Sequence, residues 1–116
     1  MSFKDWRVRI EDILEAIERI DRYTDEWNEK SFCADERSID AVVRNLEIIG
    51  EAARRVPTEV TQRHPEIPWS HMAEMRHILV HEYHSVDAGI IWATAVNDLP
   101  PLRRPLRAIL NEIASA

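Results

Sequence analysis

The chain has 116 residues, a formal net charge of −6 at pH 7 and only two glycines. Its length fits a single domain, 1–116, with one modest hydrophobic core. The negative charge argues against a protein that coats nucleic acid through a broad basic surface, although it leaves room for a local phosphate site. Few glycines and many strong helix formers disfavour tight hairpins and predict an all-α fold.

The cellular compartment is indicated by the cysteine count and by the N-terminus. The single cysteine, Cys33, excludes an internal disulfide and indicates a reducing environment. The first residues are charged and lack the apolar run of a signal peptide, and no apolar segment is long enough to span a bilayer. We therefore expect a cytoplasmic protein that has no membrane contact.

The first two predicted helices each carry a stripe of apolar residues at steps of three and four. The first runs over residues 3–23, with a stripe of Phe3, Trp6, Ile10, Ile13, Leu14, Ile17 and Ile20. Residues 24–34 are polar and are predicted to hold one short helical turn around Trp27. The second helix begins near the N-cap candidate Asp35 and ends before Pro57. Its stripe comprises Ile39, Val42, Val43, Leu46, Ile49 and Ala53.

Gly50 lies inside the second helix, where glycine costs about 1 kcal/mol relative to alanine. We interpret it as a position of close packing between helices. Residues 57–68 lack periodicity and hold three of the six prolines. They predict a loop or an irregular connector.

Three further helices are predicted in the second half of the chain. Ser70 is the predicted cap of the third, which carries Met72, Met75 and Leu79. The fourth follows a break at 84–87, is capped by Ser85 or Asp87, ends at 97–101 and contains Ile90, Ile91, Trp92 and Val96. The last carries Leu102, Leu106, Ile109, Leu110 and Ile113, with Pro105 compatible only with its first turn. Four or five amphipathic helices with short links predict an up-and-down bundle.

An unusual group of residues lies at the end of the third predicted helix. Arg76, His77, His81 and Tyr83 form the pattern Arg-x4-His-x-Tyr. Positions five apart differ by about 140° around a helix, so Arg76 and His81 do not share a face of a regular helix. They meet at one site only if the helix end distorts or if two copies of the motif face each other. The second option predicts a homodimer with a cleft between equivalent helices.

These residue types suit phosphodiester chemistry. The guanidinium of Arg76 fits phosphate oxygens and stabilises charge in a transition state. His81 is able to move a proton to or from a 2′-hydroxyl or a leaving oxygen, and Tyr83 adds a donor, a stacking ring or a modifiable hydroxyl. Because RNA supplies its own nucleophile, we predict neither a metal nor a cofactor.

Each of these residues also has an ordinary explanation that involves no catalysis. An arginine and a histidine on one helix are commonly solvated surface, and Tyr83 alone is commonly a packed aromatic side chain. His77 and His81, four positions apart, share a helix face and form half of a possible metal site, but no third ligand stands out in the sequence.

The motif and its flanks resemble the HEPN-domain proteins of the HepT toxin family, the ribonuclease half of a two-gene toxin–antitoxin pair. The resemblance covers roughly the whole chain. Besides the motif it includes residues 45–53 and 97–100 and the pairs Pro68-Trp69, Val86-Asp87 and Ile91-Trp92. One position departs from the commonest family form: asparagine or aspartate often follows the arginine, and here the residue is His77. The broader superfamily accepts polar residues there.

The resemblance implies a homodimeric helical bundle that is a metal-independent endoribonuclease toxic to its host cell. It implies that Arg76 holds or polarises the scissile phosphate, that His81 is the general acid or base, and that His77 and Tyr83 support the site. The implied partner is an MntA-like antitoxin of the nucleotidyltransferase fold, which silences the toxin by transferring AMP from ATP to Tyr83. The added negative charge would repel RNA.

Two other functions remain open at the level of the sequence. One is a non-catalytic helical module that binds a nucleotide or a partner and works with a nucleotidyltransferase. The other is a purely structural helical dimer. A titrating histidine beside an arginine favours the ribonuclease. Arg54 and Arg55 either add positive charge to its cleft or are helix C-terminal charges.

Overall fold

The described part of the chain consists of helices and connecting turns and contains no strand, which confirms the predicted all-α fold. The computed structural model describes the backbone of residues 3–82 and 85–115 and the side chains of 6–82 and 85–112. Its α-helices are α1 (Phe3–Thr24), α2 (Glu29–Cys33), α3 (Glu36–Arg54), α4 (Thr58–Arg63), α5 (Trp69–His81), α6 (Ala88–Ala93) and α7 (Arg103–Ser115). A π-helical turn (Thr94–Asp98) and a 3-10 turn (Pro100–Leu102) join α6 to α7.

The core is centred on α3, which packs against α1 on one side and α5 on the other. The stripe predicted for α1 is buried wherever its side chains are described; that of Phe3 lies outside the described side chains. Asp35 caps α3 as predicted, since its carboxylate accepts a hydrogen bond from the backbone N–H of Ser38 at 3.3 Å. Pro105 lies in the first turn of α7, also as predicted.

The contact between α3 and α5 depends on Gly50. A Cβ at this position would collide with the Cβ of Arg76 and would lie 2.6 Å from the carbonyl oxygen of Met72. The interpretation of Gly50 as a position of close helix packing is therefore confirmed. Its consequence is that Arg76 lies directly against α3.

Two short helices differ from the predictions: α2 is the short turn predicted within residues 24–34 but is displaced along the chain, and α4 lies where a loop or irregular connector was predicted. α2 begins after Trp27 rather than around it, because Asn28 and Ser31 form a capping box. Asn28 Oδ1 accepts from the Ser31 backbone N–H at 2.8 Å, and Ser31 Oγ accepts from the Asn28 backbone N–H at 3.0 Å. α4 lies within 57–68, so the prediction that this whole segment is irregular is wrong. Pro57 occupies the N-cap of α4, where its extended backbone (φ −61°, ψ 148°) has the conformation usual at an N-cap.

One prediction about a helix end is also wrong. Ser70 does not cap α5, because the helix begins at Trp69 with Pro68 at the N-cap and no side-chain capping bond. Ile90 lies within α6, as predicted for the fourth helix, but its side chain is 59% exposed. Neighbouring residues point about 100° apart on a helix, so Ile91 takes the buried position and Ile90 turns outward. Asp87 is the cap of α6, as one of the two alternatives predicted: it accepts from the Gly89 N–H at 2.6 Å.

The predicted count of four or five helices corresponds to the longer elements. α1, α3, α5 and α7 each have 13 residues or more, and α6 with its π-helical turn forms the fifth. No helix in the described ranges is both long enough and apolar enough to cross a membrane.

Candidate active site

The motif helix α5 stays regular to its end. The backbone N–H of Glu82 donates to the carbonyl oxygen of Ile78 at 2.7 Å, so the helical hydrogen-bonding pattern continues past His81. Arg76 and His81 therefore keep the offset of about 140° that a regular helix imposes on positions five apart. Arg76 and His81 could meet through a distorted helix end or across two copies of the chain, and α5 shows no distortion up to His81.

Arg76 is half-buried beside α3. With no side chain at Gly50, the Cβ of Arg76 packs against that helix, and the guanidinium lies next to Glu51. Arg76 Nε is 3.3 Å from Glu51 Oε2, with the two side chains 36% and 30% exposed. Oε2 is shielded from solvent and accepts no hydrogen bond. The contact is therefore a charge pair that lacks hydrogen-bond geometry.

Glu51 also binds the two arginines at the end of α3. Its Oε1 accepts hydrogen bonds from Arg54 Nη2 at 2.9 Å and from Arg55 Nε at 2.7 Å. These hydrogen bonds, and then the charges of the same arginines, lower the pKa of Glu51 from 4.5 to about 2. Three arginines thus surround one ionised carboxylate, and the group keeps a net positive charge. Arg54 and Arg55 therefore lie at the C-terminal end of α3, and both bind the carboxylate that also pairs with Arg76.

His77 and His81 lie together on the exposed side of α5. Their ring centroids are 4.5 Å apart and the ring planes are inclined by 52°. Tyr83 lies outside the described residues, so the two histidines are the motif residues that the structure describes in this part of the candidate site. Within the described ranges, no group of three or more histidine, cysteine or acidic side chains is arranged to hold a metal ion.

A cleft of about 260 Å³ runs beside Arg76 between α1, α3 and α5. Basic and acidic side chains line it in equal number, so it does not carry the excess of negative charge that the whole chain has. Its charged lining consists of Arg9, Asp12, Arg44, Glu47, Glu51 and Arg76.

Glu51 is the site residue that sequence reasoning missed. The sequence does carry a signal for part of its role, because Glu51 precedes Arg54 and Arg55 by three and four positions, the spacing of helical ion pairs. Its contact with Arg76 depends on the packing of two separate helices. No pattern in the sequence predicts that contact.

Taken together, the fold and the site define a small all-α protein that presents an arginine and two histidines on one surface-facing helix. Residues 13–109 match the family described as "Ribonuclease HepT-like". The chain therefore belongs to the HepT-like ribonuclease family, as the motif and its flanks indicated.

Proteins with curated names support the same family. The chain is 45% identical over 102 residues to "Probable ribonuclease HepT" of Thermococcus cleftensis, covering 88% of this chain and 90% of that protein. It is 34% identical over 113 residues to "Putative RNase MJ0127" of Methanocaldococcus jannaschii, covering 97% and 93%. A third relative, from the same organism, is "Gamma-glutamylcyclotransferase and putative RNase MJ0434", 39% identical over 95% of this chain and 50% of that protein. No solved structure matches the chain.

Proposed function

We propose that this protein is a metal-independent endoribonuclease whose active site forms between the α5 helices of two copies. The observation that carries the proposal is the regular course of α5 through His81. One chain points Arg76 and His81 about 140° apart, whereas two copies related by a twofold axis can set Arg76 of one beside His81 of the other. The proposed unit is a homodimer of up-and-down helical bundles with two equivalent sites.

The proposed chemistry uses the nucleophile that RNA carries. Arg76 binds the non-bridging phosphate oxygens and stabilises the charge that develops on them. His81 acts as general acid or base, either taking the proton of the attacking 2′-hydroxyl or giving one to the leaving 5′-oxygen. The 2′-oxygen–phosphorus bond forms as the 5′-oxygen–phosphorus bond breaks. His77, whose ring lies against that of His81, supports its orientation.

We further propose that the protein is the toxin of a toxin–antitoxin pair acting on cellular RNA in the cytoplasm. Its antitoxin has the nucleotidyltransferase fold and transfers AMP to Tyr83. This step is supported by the resemblance of the whole chain to the HepT family and by the family match. An adenylyl group two positions after His81 adds bulk and a negative charge next to the proposed proton carrier, which opposes the approach of RNA.

The test is cleavage of total cellular RNA by the purified protein in EDTA. We expect the wild type to cut and His81→Ala to lose at least about 100-fold in rate, the usual contribution of a general acid or base. His71→Ala is the matched control, since it removes another exposed histidine of α5 that lies outside the motif, and it should cut normally. Circular dichroism checks that all three proteins are folded.

Two results would count against the proposal. Equal cleavage by the wild type and His81→Ala would remove His81 from the chemistry. A folded wild type that does not cut, with Tyr83 unmodified by mass spectrometry, would favour the non-catalytic binding module.

A further inference from the structure

Glu51 has an environment that an ordinary surface carboxylate lacks. Within the described residues it is the only acidic side chain paired with Arg76. Its Oε1 is occupied by Arg54 and Arg55, whereas Oε2 is shielded from solvent and faces Arg76 without accepting a hydrogen bond. The two oxygens therefore face different arginines.

The pairing uses only a small part of the Arg76 guanidinium. The contact with Glu51 joins Nε to Oε2 at 3.3 Å, and in the described part of the chain this side chain makes no hydrogen bond and no ion pair with another residue. A guanidinium has five N–H donors, of which the terminal nitrogens carry four. Those four remain available for the paired hydrogen bonds that arginine makes to phosphate.

Gly50 fixes the other end of the same side chain. Because α5 packs against α3 at this residue, the Cβ of Arg76 has little freedom to move relative to Glu51, the next residue of α3. A long arginine side chain otherwise carries about 2 kcal/mol of rotamer entropy. Holding it before RNA arrives lowers the ordering cost at the reacting centre.

We propose that Glu51 is a positioning residue, which holds Arg76 through Nε and keeps the terminal N–H groups free for the scissile phosphate. The chemical part of this inference rests on the proposed function. Arg54 and Arg55 have a supporting role, because they bind the opposite oxygen of the carboxylate and keep it in place. Removing the carboxylate would free Arg76 to adopt other rotamers.

The kinetic test compares Glu51→Gln with Glu47→Gln. Both changes remove one negative charge from the lining of the same cleft, but Glu47 has no recorded contact with Arg76. Charge removal alone favours RNA binding, so it should leave KM unchanged or lower it in both variants. Loss of positioning lowers kcat, by about 10- to 100-fold, in Glu51→Gln only. Wild-type kcat in Glu51→Gln, or an equal fall in both variants, would overturn the proposal.

A second measurement does not require catalysis. The Arg76 Nε–Hε signal in a ¹H–¹⁵N NMR spectrum is assigned by its loss in Arg76→Lys. We expect this signal to shift or broaden in Glu51→Gln and to stay in place in Glu47→Gln. An unchanged signal in Glu51→Gln would contradict the pairing. If the wild type failed to cut RNA, the proposed function would fail, while this comparison would still decide whether Glu51 holds Arg76.

Discussion

At the scale of single residues, the space at Gly50 sets the position of the motif arginine. No described glycine has a positive φ, so the backbone conformation at this position does not require glycine. What requires it is the approach of Arg76 and Met72 from α5. The second glycine, Gly89, has different neighbours. A Cβ there would lie 2.9 Å from Asp87 Oδ1, the oxygen that caps α6 by accepting from the Gly89 N–H, and 3.7 Å from Glu29 Oε2.

Gly50→Ala and Gly89→Ala therefore make a matched pair. In a helix alanine is favoured over glycine by about 1 kcal/mol. At Gly50 the collision with α5 should outweigh this gain and lower the free energy of unfolding by about 1–3 kcal/mol. At Gly89 the gain from alanine is opposed by the disturbance of the capping carboxylate of Asp87, so we expect a net change within about 0.5 kcal/mol. Urea denaturation measures both, and equal stability of the two variants would contradict a close contact at Gly50.

The same scale shows which part of the candidate site can be predicted from the sequence. Arg76, His77 and His81 are visible as a pattern because they lie close together in the chain. Glu51 is 25 positions from Arg76, and only the packing of α3 on α5 brings the two together. Tyr83 lies outside the described residues, and its role stays a prediction.

At the scale of elements, the long helices are easier to predict from the sequence than the short ones. α1 and α3 have 22 and 19 residues, enough for a buried stripe to repeat several times and so to appear in the sequence. α4 has six residues and buries only Val60, so it has no period to detect. The π-helical turn after α6 is likewise too short to be predicted from an apolar pattern. In this turn the Leu99 N–H donates to the carbonyl oxygen of Thr94, five residues back.

Two of the predicted caps can be compared directly: Asp35, which the structure confirms, and Ser70, which it does not. Asp35→Ala removes the carboxylate that accepts from the Ser38 N–H at the start of α3, and should lower the free energy of unfolding by about 1 kcal/mol. Ser70→Ala removes a hydroxyl that caps nothing and should change it by less than about 0.5 kcal/mol. Urea denaturation distinguishes the two. An equal or greater loss in Ser70→Ala would mean that its hydroxyl does cap α5.

At the scale of the whole molecule, the outer side of α5 carries both basic and apolar side chains. The exposed apolar side chains are those of Ile78 and Val80, and they lie among Arg76, His77 and His81. On a regular helix Val80 lies about 40° from Arg76 on the side toward His81, within the arc that separates them. A second copy that closes the proposed site would cover this arc.

Val80→Glu is therefore expected to weaken the proposed homodimer. Val8 on α1 is the control, because it is exposed to nearly the same degree, 48% against 45% for Val80, and Val8→Glu introduces the same charge. Sedimentation velocity should show Val80→Glu shifted toward monomer and Val8→Glu unchanged. RNA cleavage should fall in parallel with the dimer fraction. A fully dimeric Val80→Glu protein would place the contact elsewhere.

The offset between Arg76 and His81 along α5 also has a consequence for gene dosage. If neither chain alone holds a complete set of reacting groups, the number of working sites depends on encounters between chains. Well below the dissociation constant of the pair, mass action makes that number rise with the square of the total amount of protein, so halving synthesis lowers activity about fourfold. If the chain is a toxin, as proposed, its harm to the cell would therefore rise faster than its expression level.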